Sequence, residues 1–346
     1  KTKKSAATKT EVPLASAKKY PSLLWEITGN GLEKPSYLFG TMHVSDKLAF
    51  HLGDSFYHAI KSVEVVALEQ DPHIWQEEYS KMNPYEGYNM FSNFRYYDYN
   101  PGDRLSINTF TVKPYDEKLK ASLAMEAQMV NGMMYRTDPG MEDFEEETYL
   151  DMYIYQAGKK LNKIVLGVEN YKESNKLVKE AYKALYKDQY SKRKSYDYKE
   201  SIVNSKKTEE AYRAGNLDFI DSVEMMSIVS EEFHEKFMFK RNEIQAHSID
   251  TILKKYSLFV GVGAAHLPGK RGVIELLRQK GYKVRPIMMG ERNSNEKEKM
   301  EKIRVPVTFK EQWMEDSAFS VEIPGDKLYR YPTYAGLNMV QYADMA

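Results

Sequence analysis

Apolar residues fall in short dense runs separated by longer spaced stretches, which predicts strands alternating with amphipathic helices. Ser22–Thr28 and Ser36–Gly40 read as strands, joined through the turn residues of Gly29–Lys34 into an opening β-hairpin. A helix is expected over His51–Ser62 with Asp54 as its N-cap, then a buried strand over Val63–Glu69. From about 71 to 115 the chain is crowded with Tyr, Met, Asn and Phe and shows poor periodicity. It reads as an insertion packed over a sheet, extended to about 135 by a helix over Pro114–Met134. Helices are expected over Glu142–Lys160, Lys172–Lys192, Glu209–Val229 with a break at Gly215, Ser230–Ala246, Ser248–Tyr256 and Arg271–Lys280. Strands are expected over Lys163–Glu169, Ser257–Gly263 and Tyr282–Met288. After Gly290 a charged stretch, ERNSNEKEKMEK, reads as mobile, and Lys302–Ala346 reads as β-rich with turns at Pro324-Gly325 and Pro332.

Two of these strands carry the same signature. SYLFGTMH ends in Gly40-x-x-His43, and SLFVGVGAAH ends in Gly263-x-x-His266. Each is followed by a loop, a helix and another apolar strand, so each reads as a βαβ crossover, which makes parallel strands. The fold expected is α/β: a mostly parallel mixed sheet flanked by helices, built from two related βαβ halves. A helical or irregular insertion and a β-rich C-terminal extension are added to it. In domain terms, 1–20 is a disordered tether, 21–290 the α/β domain, and 291–346 a linker and extension.

Composition narrows the function classes. Charge is balanced at 50 basic and 50 acidic residues, which gives no reason to expect a nucleic-acid partner. No run of about 18 apolar residues predicts a transmembrane helix. The chain holds no Cys, which excludes disulfides, zinc–thiolate sites and a Cys nucleophile. The polar opening KTKKSAATKTEVPLASAKK resembles the tether that follows a cleaved signal or a lipid-anchored Cys, and with it an extracytoplasmic location is expected.

The candidate chemistry sits at strand ends, where ligands bind α/β sheets. Gly40 and Gly263 let the backbone turn sharply, so that His43 and His266 can point over the sheet edge. Glu69 and Glu169 each close an apolar strand, and a buried acid must be paired or used. Arg241 follows Phe233 and Phe237 at helical spacing and needs an acid or a bound anion. Asn242 stands next to it. The other histidines show no ligand spacing, and there is no phosphate loop, Gly-x-Ser-x-Gly or His-Glu-x-x-His.

These residues resemble the TraB/PrgY/GumN family, whose animal relatives are the Tiki proteases. The likeness rests on LLWEIT from Leu23, YLFGTMH from Tyr37, Glu69, LGVEN from Leu166, KRN from Lys240 and VGAAHLPGKRGVIELLRQKGYKV from Val262. The family usually has Glu-Arg-Asn where this chain has Lys240-Arg241-Asn242. The resemblance implies a divalent-metal-dependent hydrolase, a peptidase, with a peptide or protein substrate. It implies Mn, Co or Zn held by His43, His266 and Glu69, with Glu169 as general base. Arg241 would stabilise an oxyanion or clamp a substrate carboxylate, and Asn242, Gly40 and Gly263 would lie beside the substrate. It leaves two alternatives open: a metal-free His–Glu hydrolase like the erythromycin esterases, and a non-catalytic peptide-binding regulator. A haem-binding role by analogy with ChaN-like relatives is weaker, since no Tyr stands out as a ligand.

Overall fold

The dense apolar runs become the strands of one mixed sheet. The computed structural model describes residues 18–42, 52–80, 150–191, 198–226, 230–306, 308–313, 319–324, 331–332 and 340–341. β1 (Leu24–Thr28) and β2 (Ser36–Thr41) form the expected antiparallel hairpin, with Leu24 opposite Phe39. α1 (Asp54–Ser62) leads to β3 (Val65–Leu68), and α2 (Pro72–Ser80) opens the expected insertion. The remainder of that insertion lies outside the described residues. α3 (Leu150–Lys160) leads to β4 (Ile164–Gly167), followed by α4 (Tyr171–Ser191), α5 (Tyr198–Arg213) and α6 (Leu217–Met226). The last two are separated at Gly215, which takes the left-handed φ of +63° that glycine favours.

α7 (Glu231–His234) passes through a π-turn, Glu235–Phe239, into α8 (Lys240–Leu253). The separate helix expected over Ser248–Tyr256 is therefore the end of α8. Ile249 and Leu253 are buried there, and packing carries the helix through a sequence that local signals would break. β5 (Leu258–Gly263), a 3₁₀ turn (Ala264–His266), α9 (Val273–Gln279) and β6 (Lys283–Ile287) follow.

The six strands lie in the order β4-β3-β5-β2-β1-β6. β2, β5, β3 and β4 are parallel, and β1 is antiparallel to both β2 and β6. The two Gly-x-x-His units are not simple crossovers between neighbours. β5 enters between β2 and β3, so the two glycine-ended strands pair directly, with Gly40 opposite Val262 and Thr41 opposite Gly263. Every residue of β2 and β5 is buried, as central strands covered on both faces must be.

Residue alternation tells the two faces apart. Phe39, Thr41, Phe259 and Gly261 share one. Phe56 of α1 packs edge-on against Phe39 and Phe259, with ring centroids 5.1 and 5.3 Å apart. Ile154 of α3 reaches Gly261 on the same face, and the Tyr57 and Tyr153 hydroxyls of α1 and α3 meet at 3.2 Å. The other face carries α8 and α9, which pack on each other. Gly40 points there, and a Cβ on it would sit 3.2 Å from Ala264 Cα and 3.3 Å from Leu267 Cδ2. Its bareness lets the turn carrying His266 close onto β2. α1, α3 and α8 each run back toward the strand that follows them, so their first turns gather at the carboxyl edge of the parallel strands.

Beyond Gly290 the structure differs from the expected mobile linker. α10 (Glu296–Lys302) docks on α1, burying Met300 and pairing Glu296 with Lys61 at 2.6 Å. Asp54 is not the N-cap of α1, a position held by Gly53. Its carboxylate instead accepts the backbone N–H groups of Asn293 and Ser294 at 3.2 and 3.3 Å, together with the Ser294 hydroxyl. β7 (Phe309–Trp313) pairs antiparallel with β8 (Ser320–Pro324), and β9 (Tyr331–Pro332) with β10 (Val340–Gln341). Pro332, expected in a turn, lies in β9.

Candidate functional site

The two strand-end acids are brought side by side by strand register. Leu68 pairs with Gly167, and the ladder continues past the strands: Val168 N–H donates to Leu68 O at 2.8 Å and Glu169 N–H to Glu69 O at 2.7 Å. Arg241, in the first turn of α8, enters between them. Its Nη2 meets Glu69 Oε2 at 2.7 Å and Glu169 Oε1 at 3.0 Å, and its Nε donates to Glu169 Oε2 at 3.0 Å. Its Nη1 donates to Phe237 O in the π-turn at 3.3 Å, and the guanidinium lies 5.5 Å above the Phe237 ring. All three side chains are buried. Burial pushes the Arg241 pKa down, but the charges and hydrogen bonds of Glu169 and Glu69 outweigh it and the net shift is upward.

Glu169 is saturated with donors. Besides Arg241 it accepts Gln245 Nε2 at 2.6 Å and the Ser174 hydroxyl at 2.5 Å. Gln245 is one helical turn beyond Arg241, and Ser174 is in the first turn of α4. Sequence reading missed both. The spacing of Gln245 four residues after Arg241 was the available signal.

Glu69 faces the second motif. Its Oε1 accepts the Gly263 N–H at 2.7 Å and stands 3.7 Å from His266 Nε2. His266 is oriented from behind: its Nδ1 meets Asn242 Oδ1 at 2.6 Å, while Asn242 Nδ2 donates to Arg271 O at 2.9 Å. Since the Asn242 amide nitrogen is committed to a carbonyl, its oxygen accepts from His266. Nδ1 is therefore protonated, and in the neutral ring it is Nε2, on the side of Glu69, that carries the lone pair. The loop after His266 is fastened to the same helix, where Arg271 forks onto Glu235 at 2.5 and 3.0 Å and reaches Glu243 at 2.7 Å.

Of the predicted residues, the structure thus brings together Glu69, Glu169, Arg241, Asn242, Gly263 and His266. Gly40 stands one strand away, where it serves close packing, and His43 lies outside the described residues. Asn242, expected beside a substrate, holds His266. Arg241, expected to meet an oxyanion, spends its donors on two glutamates and a carbonyl. Among the described residues no group of three His, Asp or Glu side chains surrounds a common point. The described pair suits a divalent cation chemically: one imidazole nitrogen with its lone pair outward and one carboxylate oxygen, close enough to share an ion at bonds of about 2.1 Å each. The clasp of His266 by an amide oxygen is also the support that metal-bound imidazoles receive.

No curated protein and no solved structure is significantly similar to the chain. The family model for the TraB/PrgY/gumN family matches residues 23–286, which takes in every strand of the central sheet except the last residue of β6, and all of the site. On that match the chain belongs to the TraB/PrgY/gumN family.

Proposed function

We propose that the chain is a hydrolase that activates water at the carboxyl ends of β3, β5 and β2, with a peptide or protein as substrate and a place of work outside the cytoplasm. The observation that carries this reading is the facing pair of His266 Nε2 and Glu69 Oε1, each held from behind. Supports of this kind fix the geometry that catalytic groups need and that a merely structural pair does not. In the metal-dependent version His266, Glu69 and His43 would hold a divalent cation, which when bound would supply a water of lowered pKa. Asn242 keeps the proton on Nδ1, so that Nε2 stays available as a base or ligand. Arg241 and the Gly263 N–H keep Glu69 from rotating away. Glu169, surrounded by donors, serves in this reading as the anchor of Arg241 and not as a proton acceptor.

The test is peptide hydrolysis by purified protein with and without Mn²⁺ or Co²⁺, beside His266→Ala and Glu69→Gln. Turnover that falls by about 10²–10⁴ in both variants is expected. Turnover that survives chelation but still needs His266 would select the metal-free version. A folded wild-type protein with no turnover on a broad peptide set, with or without cations, would sink the hydrolase. A binding role would then stand, favoured by the engagement of both Glu69 oxygens within the protein.

A further inference from the structure

Arg271 lies outside the facing pair, yet its contacts lead back to it. Its carbonyl accepts Asn242 Nδ2 at 2.9 Å, and the oxygen of the same amide meets His266 Nδ1 at 2.6 Å. The carbonyl thus decides which way the amide points. With the amide turned over, Nδ2 would donate to His266 Nδ1, the ring proton of the neutral imidazole would move to Nε2, and the lone pair on the side of Glu69 would be lost. The turn that carries this carbonyl is compact: Gly272 N–H donates to Gly269 O at 3.0 Å, and Gly269 takes a left-handed φ of +89°. Those features set the shape of the turn but not its seat on α8. The Arg271 side chain fastens it there. Nη1 and Nη2 fork onto Glu235 at 2.5 and 3.0 Å, and Nη2 also reaches Glu243, the residue after Asn242, at 2.7 Å. The guanidinium stands 4.2 Å from the centroid of the Phe239 ring. A single ion pair as exposed as these would hold little, but a fork joined to a second carboxylate and a ring fixes a direction as well as a distance. Arg271 is therefore gripped at both ends, its main chain by Asn242 and its side chain by the residues around Asn242. The π-turn serves both members of the pair. Phe237 flanks Arg241, which bonds Glu69, while Glu235 and Phe239 receive Arg271, which aims Asn242 at His266.

We infer that Arg271 is a positioning residue: its guanidinium seats the turn after His266, so that its carbonyl keeps the Asn242 oxygen on Nδ1 and leaves Nε2 free on the side of Glu69. The role rests on the proposed function, where a free Nε2 is put to work, but it is read on the ring itself, without substrate or turnover. The test is imidazole nitrogen NMR on metal-free protein labelled at histidine, at a pH where the ring is neutral, which tells the Nδ1–H form from the Nε2–H form. The His266 signal is identified by its loss in His266→Ala. Wild type is expected to show His266 as Nδ1–H, and Arg271→Gln to show both forms in comparable amounts. Arg271→Lys keeps the charge but cannot fork, and should fall between the two. Arg278→Gln removes an arginine that bonds Glu275 and Val284 O instead, and should leave His266 as in wild type, which separates a lost hold from lost stability. Should Arg271→Gln not fold, Glu235→Gln combined with Glu243→Gln takes away the acceptors and carries the same expectation. A wild-type ring in the Nε2–H form, a ring that stays wholly Nδ1–H when the fork is removed, or an equal shift in Arg278→Gln would each overturn the inference. The hydrolase is decided separately by the turnover assay: a protein that cuts no peptide can still show the expected ring forms, and one that does can fail to.

Discussion

At the residue scale the site depends on which groups are spoken for. Arg241 bridges two buried carboxylates, so removing it takes away the guanidinium that both of them bond. Breaking a buried ion pair from one side costs about 3–5 kcal/mol. Arg241→Met should therefore lower the denaturant midpoint by a corresponding amount, and a midpoint within experimental error of wild type would contradict the clasp. Asn242 acts through His266. Asn242→Leu keeps the bulk and removes the hydrogen bond, and support groups of this type are worth about 10–100-fold in activity or metal affinity. An Asn242→Leu variant with unaltered affinity and turnover would show that the imidazole needs no such hold. Much of this was legible in sequence: the second Gly-x-x-His motif, two strand-end acids and an arginine on an apolar helix face all point at one place. Ser174 and Gln245 were not, because a polar residue in a helix looks the same whether it meets solvent or a buried carboxylate.

The elements explain how such residues reach one edge. Each helix that feeds a parallel strand starts there, and the π-turn before α8 supplies both the carbonyl and the ring that flank Arg241. π-turns are common at functional sites and have no local sequence signature. The strap formed by residues 291–302 is a second case. Its charged letters read as a mobile segment, and the burial of Met300 was not anticipated. Hydrogen bonds from Lys299 and then Lys61 hold the Glu296 carboxyl down at about 2 against an ordinary 4.5, and Ser294 likewise lowers Asp54. A carboxyl whose folded-state pKa is depressed stabilises the fold above its unfolded pKa, and the contribution is lost as pH falls through the folded value. The contact between α10 and α1 should thus loosen between about pH 4.5 and 2. Amide exchange in α10 should speed up over that window in wild type and be less pH-dependent in Glu296→Gln. Gly53 is the tight point of this contact, since a Cβ there would lie 2.3 Å from Gly290 O. Gly53→Ala must push the strap away and should lower stability by about 1–3 kcal/mol.

At the scale of the whole molecule, the family match ends at residue 286 while the packed structure continues to α10. Cutting after residue 304 should leave the melting temperature near that of the full chain. Cutting after 290 removes Met300 and the partners of Asp54 and should lower it by several degrees. Equal melting of both truncated forms would mean that the strap adds nothing. The fold class was readable from alternating strands and helices, and the order of strands was not. Hydrophobic patterning says that β2 and β5 are buried, but not which strand lies beside which, since pairing is decided by the total area that the finished sheet covers.

That strand order has a consequence for how the chain comes to life. Ser36 and Leu258 are neighbours in the sheet although 222 residues separate them. A chain made from its N-terminus releases β2 and β3 long before the strand that belongs between them. Contacts of such long range form late and slowly, because a large loop must close before they repay it. Until β5 arrives, Glu69 has no Gly263 N–H to receive and no His266 to face. A nascent or prematurely terminated chain that stops short of residue 266 lacks this facing pair, and under the proposed function it gains its chemistry only after His266 has been made.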